Sequence, residues 1–389
     1  RLVLSLPLVA MDSVGAGAGS FIRLDPYTKA IKLGPDSAGY RVGVCWEASG
    51  IETVTISDCH VILGYLNPDG LVGGRLPLNV EKARRAIKTH LADPLRISVE
   101  KAAYGMFTIV NNNMVNAIRR VSVERGYDPR DFVLNCAGGA TAAHITALAR
   151  EMGIRKVLIS KLASGLCAFG QILSDVKYNY MAPVAARLEG TESAARLNAL
   201  FNQLEARGRG DLMADGFTDD RISVRRSLDM RYVGQVHECT VDIDPFEITE
   251  AALERLKAAF HARHEELYTY SEPHSAVEVV NVESAITGAV DKPARMTSAP
   301  GKGAHSALKG TREMIFTADG IPHETPVYDG ALLGAGDRVS GPAVIQEVTT
   351  TIVIEPGWKA ELDASAVYVV TMATDVAAPQ RAARTVEVA

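Results

Sequence analysis

The feature that most constrains this chain is a glycine-rich loop that runs into a strand. In "MDSVGAGAGSFIRLD", Gly15, Gly17 and Gly19 take every second position, and "FIRLD" follows with strand character. Alternating glycines let a backbone approach a ligand closely and aim several N–H groups at an anion. The dinucleotide and P-loop versions of such a loop lead into a helix whose N-terminus faces the phosphate. Here a strand follows and no lysine closes the loop. Both of those versions are excluded. Two readings stay open: a hairpin loop that cradles phosphate through its amides, or a tight turn with no ligand. The local pattern slightly favours the turn.

The rest of the chain alternates helical and strand signals. Phe21–Leu24 and Ala30–Leu33, joined by "DPYTK", predict a hairpin. "IETVTISDCHVILGYL" reads as strand from its β-branched alternation, which would send Asp58 and His60 to one face. "NVEKARRAIKTHLA" has helical spacing with Asn79 as N-cap, and one long helix or two abutting ones are predicted to end near Gly126. "DFVLNCAGGATAAHITALAREMG" predicts strand, glycine turn, helix, and "IRKVLIS" the next strand. "KLASGLCAFGQILSDVKYNY" reads as a loop followed by a helix. "ESAARLNALFNQLEARGRG" reads as a polar helix ended by its Gly/Arg-rich break, before a strand-rich region.

Bulk properties set limits. The 389 residues suffice for two or three domains, and 47% hydrophobic with 22% charged residues is ordinary globular composition. A net charge of −5 argues against a nucleic-acid surface. Five cysteines without a C-x-x-C pair read as free thiols in a reducing cytoplasm. No apolar run is long enough for a membrane span. The opening "RLVLSLPLVAM", without an initiator Met, reads as a core strand of a longer protein.

Other stretches could carry chemistry. The turn at Gly138-Gly139 suits an adenosine or phosphate group at the helix start, or simply close helix–sheet packing, and His144 reads as structural. Asn111, Asn112, Asn113 and Asn116 crowd a helix that otherwise looks buried, so they either line a polar cleft or bond to neighbouring loops. "SDCH" is incomplete as a metal pair or nucleophilic site. His261 and His264, with Glu265, have a spacing that could hold a metal. Their charge-rich helix favours a solvated face instead.

Taken together and in order, these segments resemble the hydantoinase A/oxoprolinase family. That family includes ATP-dependent N-methylhydantoinases, 5-oxoprolinases and subunits of acetone and acetophenone carboxylases. The resemblance rests on "SVGAGAGSFIRLD", "TVTISDCHVILGYLNPDGLVGG", "NNNMVNAIRRVSVERGYDPRDF", "CAGGATAAH", "RRSLDMRYVGQVHE" and "GPAVIQEVTTTIVIEPGW", and spans nearly the whole chain. It implies an α/β fold: the second lobe of an actin/hexokinase-like (ASKHA) ATPase, residues 1–187, followed by a strand-rich α+β C-terminal domain. That second domain would comprise residues 188–290 and 309–374, with 291–308 a linker or surface excursion and 375–389 a poorly ordered tail. The first lobe's Asp-x-Gly-Gly-Thr-x-Thr-Asp motif is absent from this sequence.

The resemblance further implies a second phosphate hairpin at Gly15, Gly17, Gly19 and Ser20. It places Gly138, Gly139 and Ala140 opposite adenosine, and Asn111 and Asn113 along the cleft. Asp58 matches an acidic family position, and Asp12 is the sole acid near the loop. These two are the catalytic candidates. The cofactors implied are ATP and Mg2+, and the partners are a hydantoinase B-like subunit and a small third subunit. Departures matter: Ala10-Met11-Asp12 stands where the family often has Asp-Ile-His. That departure counts against hydantoinase chemistry and towards a silent paralogue, while "GVCWEASGIETVTISDCHVILGYLNP", "SGLCAFGQILSDVKYNY" and the altered hairpin resemble the carboxylase branch and favour ketone carboxylation, with phosphorylation of an enol(ate) oxygen or of bicarbonate. Opening of a cyclic amide, or a silent structural paralogue, are the alternatives.

Overall fold

The computed structural model describes residues 11–373. The opening segment read as a core strand and the tail from residue 375 lie outside the described residues. Two compact units form, one from residues before 170 and after 294, the other Gly170–Ala294.

The first unit opens with the predicted hairpin. β1 (Ser20–Leu24) pairs antiparallel with β2 (Ile31–Ser37), with Ile22 opposite Leu33. Asp25 Oδ1 accepts from the N–H groups of Tyr27 and Thr28 and closes the turn. The strand expected at "TVTISDCH" is instead a helix, α1 (Ile56–Ile62). Thr55 Oγ1 accepts from Asp58 N–H while Asp58 Oδ2 accepts from Thr55 N–H, a capping box that overrides the β-branched pattern. Every residue of α1 is buried, including the polar Ser57, Asp58 and His60.

Asn79 caps α2 (Val80–Ile87) by accepting from Lys82 N–H, as its position predicts. A π-helical turn, Lys88–Ala92, leads to α3 (Asp93–Leu95). The long α4 (Val99–Val121) is capped by Ser98, and the helical run closes at Gly126 in the left-handed conformation. Then come β3 (Leu134–Cys136), α5 (Ile145–Met152) and β4 (Lys156–Ser160), and β3 and β4 are parallel. α6 (Leu166–Leu173) follows its loop as expected, but "VKYNY" is strand rather than helix.

The second unit is an antiparallel sheet in the order β5 (Val176–Arg187), β8 (Val277–Gly288), β6 (Ile222–Tyr232), β7 (Cys239–Ile243). Helices α7 (Gly190–Ala214) and α8 (Glu250–Tyr268) supply Leu197, Phe201, Leu256 and Phe260 to a core shared with Leu228, Val279 and Val282. The Gly/Arg-rich stretch does not break α7. A Cβ at Gly208 would sit 2.7 Å from the Ile286 side chain, so this glycine lets the helix lie close on the sheet. His264 of α8 is fully buried, which corrects the solvated face expected for it.

The chain then returns to the first unit. On the way Gly301 N–H donates to Ala335 O and Gly303 N–H to Asp337 Oδ1. β9 (Leu308–Ile315), β10 (Pro322–Asp329), β12 (Ala343–Gln346) and β13 (Thr351–Ile354) form one sheet. β11 (Arg338–Ser340), β14 (Trp358–Leu362) and β15 (Val367–Met372) extend the β3–β4 sheet, with β15 antiparallel to β4 and Val370 opposite Val157.

Candidate functional site

A cavity of about 590 Å³ opens in the first unit. Ala18 and Gly19 border it from the glycine loop, Ser57 and His60 from α1, and Gly139 and Ala140 from the turn before α5. The loop Asp69–Gly74 and the β12–β13 turn, Gln346–Thr351, complete its walls with Lys309 and Asp329. Thr350 Oγ1 donates to Gly139 O, and Ser164 Oγ lies 2.5 Å from Thr349 Oγ1, so the β12–β13 turn is bolted to the glycine turn.

Of the residues singled out from sequence, Gly19, Gly139 and Ala140 meet on this cavity. The others support it or stand apart. Gly17 N–H donates to Ser20 Oγ and Ser20 N–H to Gly17 O, which makes a closed turn. A Cβ on Gly15 would meet Pro35 Cβ at 2.6 Å. Gly138 has φ near +101° and donates its N–H to Ala163 O, a conformation that favours glycine. Asn113 lies half-buried on α4 away from the lining.

The two acids singled out have structural partners. Asp12 pairs with Arg120 at 2.9 Å. Asp58 is fully buried, and its carboxylate accepts from the N–H groups of Val44, Cys45 and Thr55 and from Thr55 Oγ1. It ties the 42–45 loop to the start of α1. Neither acid lines the cavity. The carboxylates that do are Asp69, Asp329 and Glu347. Sequence reasoning passed over all three, although the "NPDGLVGG" and "QEVTTT" loops that carry two of them are rich in turn and hydroxyl residues. Glu347 accepts from Tyr368 OH at 2.5 Å and lies 3.7 Å from Lys161 Nζ. Burial first, then the Glu347 charge, pushes the Tyr368 phenol well up.

Asn111 turns inward rather than to the cavity: its Oδ1 lies 2.7 Å from His144 Nδ1 and accepts a hydrogen bond when that nitrogen carries the ring's N–H. His144 and His60 stand with ring centroids 4.6 Å apart, both 1% exposed, boxed by Phe107 and Tyr65. Desolvation holds the His144 imidazole down at about 4, and desolvation plus His144 holds His60 well below its usual range. Nε2 of each ring has no partner. Among the described residues, no group of three or more His, Cys, Asp or Glu side chains is placed to hold a metal ion. No helix among them is long and apolar enough to cross a membrane.

Comparison with known proteins matches the hydantoinase/oxoprolinase family model to residues 1–180 and that family's C-terminal domain model to residues 185–371. The chain is 44% identical to caprolactamase subunit alpha of Pseudomonas jessenii, over 95% of this chain and 54% of that protein. It is 39% identical to the acetone carboxylase beta subunit of Xanthobacter autotrophicus, over 93% of this chain and 52% of that protein. Among solved structures, a nucleotide-free acetone carboxylase matches with TM-score 0.85 at 38% identity, over 95% of this chain and 54% of that one. The P. jessenii caprolactamase structure matches with TM-score 0.76 at 44% identity, over 93% and 52%. The chain thus spans about half the length of the relatives it matches. With matches along nearly its whole length, the chain belongs to the hydantoinase/oxoprolinase family.

Proposed function

We propose that this chain supplies an ATP-using part of an enzyme that activates a small neutral carbonyl compound by phosphorylating its oxygen. The observation that carries this reading is the meeting of Gly19 with Gly139 and Ala140, far apart in sequence, on one cavity. A Cβ on Gly19 would lie 2.7 Å from Ser37 Oγ, and one on Gly139 would lie 3.0 Å from Thr349 O. Bare backbone therefore forms those walls, and amides there suit phosphate. The hairpin Gly15–Ser20 is the second phosphate loop of a two-lobed ATPase in this reading, and the first loop comes from outside this sequence. Mg2+ riding on the nucleotide needs only one or two protein carboxylates. Asp69, Asp329 and Glu347 are the candidates, in place of Asp12 and Asp58. Mg2+ would offset charge on the transferring phosphoryl group.

Two substrates fit this class. Likeness to the acetone carboxylase structure, at TM-score 0.85, favours a ketone carboxylated through its enol(ate). The 44% identity to a caprolactamase subunit favours opening of a cyclic amide. Several relatives carry subunit names, and a hydantoinase B-like partner belongs to the proposal. ATP turnover by the full-length protein with its partner, with ketone plus bicarbonate against cyclic amides, separates the two. Gly139→Val should weaken ATP binding by at least about tenfold, because its side chain meets the Thr349 carbonyl. Unchanged affinity, or no ATP binding by the parent, would sink the nucleotide reading in favour of a structural paralogue.

A further inference from the structure

One carboxylate on the cavity wall is fixed on one edge and open on the other. Glu347, whose side chain is 10% exposed, borders the cavity from the β12–β13 turn. Its Oε1 accepts from Tyr368 OH at 2.5 Å and lies 3.7 Å from Lys161 Nζ. Lys161 is itself held, donating to Gly330 O at 2.6 Å and to Leu333 O at 3.1 Å. A Cβ on Gly330 would collide with the Glu347 carboxyl carbon, so bare backbone backs the group. Oε2 takes no hydrogen bond from the described residues, and unlike Glu355 Oε2 it is not sealed from solvent. Since the little of Glu347 that is exposed borders the cavity, Oε2 is the acceptor offered there. Beside the Lys161 ammonium, a carboxylate accepts and does not donate.

Its neighbours limit what can meet that oxygen. A phosphate would face like charge. A divalent cation would meet the Lys161 ammonium that already faces this carboxylate. An uncharged O–H or N–H donor meets neither obstacle, and a hydrogen bond to a charged acceptor is a strong one. Position narrows the source. The turn that carries Glu347 is fastened to the Gly139 wall through Thr350 and through Ser164 with Thr349. In the proposed reading the Gly15–Ser20 hairpin takes the phosphates, which leaves the Gly139 and Glu347 wall to the nucleoside. We infer that Glu347 Oε2 accepts a hydrogen bond from the nucleoside part of the bound nucleotide, a ribose hydroxyl or the exocyclic amine of the base. This rests on the proposed nucleotide reading, and it leaves Asp69 and Asp329 as the carboxylates for Mg2+. Glu347 is the contact residue, while Tyr368 and Lys161 are positioning residues.

The test is calorimetric binding of three nucleotides to the full-length protein with its partner subunit, with Mg2+ and without carbonyl substrate. The three are ATP, an analogue lacking both ribose hydroxyls, and an analogue with hydrogen in place of the exocyclic amine. One analogue should bind at least about tenfold weaker than ATP, the scale of one hydrogen bond to a charged group, and which one it is names the donor. Glu347→Ala should erase that difference, and Tyr368→Phe, which frees the carboxylate to turn, should reduce it. Equal affinities for all three in the parent protein, or a difference that survives Glu347→Ala, overturns the inference. Should Glu347→Ala fail to fold, Glu347→Gln keeps the shape and exchanges a charged acceptor for a neutral one. The difference should then shrink by about threefold or more, and an unchanged difference overturns the inference. ATP bound without discrimination overturns this inference alone, whereas no ATP binding by the parent overturns the nucleotide reading and this inference with it.

Discussion

The two units each bury histidines among aromatic rings, and they treat them oppositely. In the second unit, His264 Nδ1–H donates to Tyr270 O and its Nε2 accepts from Gln235 Nε2. Its neighbour His261 takes the Tyr232 hydroxyl on Nδ1. Both polar edges of the His264 ring are matched, and the ring holds the end of α8 to the loop beyond it. In the first unit, His144 is matched on one edge only and His60 keeps an unpaired Nε2. Equal burial therefore does not mean equal roles. A fully satisfied ring contributes to stability, whereas a ring with an unpaired buried nitrogen is held at a cost.

The largest effect should come from the satisfied ring. His264→Ala leaves the Tyr270 carbonyl and the Gln235 amide unmatched and opens a void among Tyr232, Phe260 and Tyr268. A loss of about 3 kcal/mol is expected in urea unfolding. A loss below about 1 kcal/mol would erase the contrast.

Acid comes next. His144 is held at about 4 in the folded chain against 6.5 when unfolded. Between those values the unfolded chain binds a proton that the folded chain refuses, so stability falls as pH drops through that window. The loss approaches about 3 kcal/mol below pH 4, and His60 acts in the same direction. Urea midpoints at pH 7 and pH 4.5 should therefore converge more in His144→Leu than in the parent, since carboxylate titration is common to both. Equal pH dependence would show that His144 is not held neutral.

The smallest effect should come from His60→Leu at pH 7. No hydrogen bond is lost and the apolar area is kept, so stability should stay within about 1 kcal/mol of the parent. A larger loss in thermal unfolding would mean that His60 is a structural ring like His264.

Local sequence rules located much of this fold. The Asp25 turn, the Asn79 cap, the glycine end of the α4 run and the strand–glycine–helix at 134–152 each depend on residues a few positions apart. The same rules failed at α1. "TVTIS" has strand propensity, but the Thr55–Asp58 capping box and complete burial decide for helix. They also failed at Gly208 and Gly210, where packing on the sheet carries α7 past two glycines. The candidate site was legible in pieces only. Gly19, Gly139 and Ala140 read as ligand-facing and border one cavity, whereas the setting of Asp58 is not legible, because its three backbone donors and the Thr55 hydroxyl lie in a loop and cap invisible to a motif.

By itself the sequence determined the family, the glycine loops and most helix and hairpin ends, because these depend on local backbone conformation and short-range hydrogen bonds. Only the tertiary structure decided that β15 closes against β4, that Asp58 is a tie rather than a free acid, and that His60 and His144, read as separate and minor features, face each other beside one cavity. Those outcomes depend on which distant segments exclude water from one another. A buried nitrogen stays unpaired only when burial removes water and no neighbouring side chain replaces it.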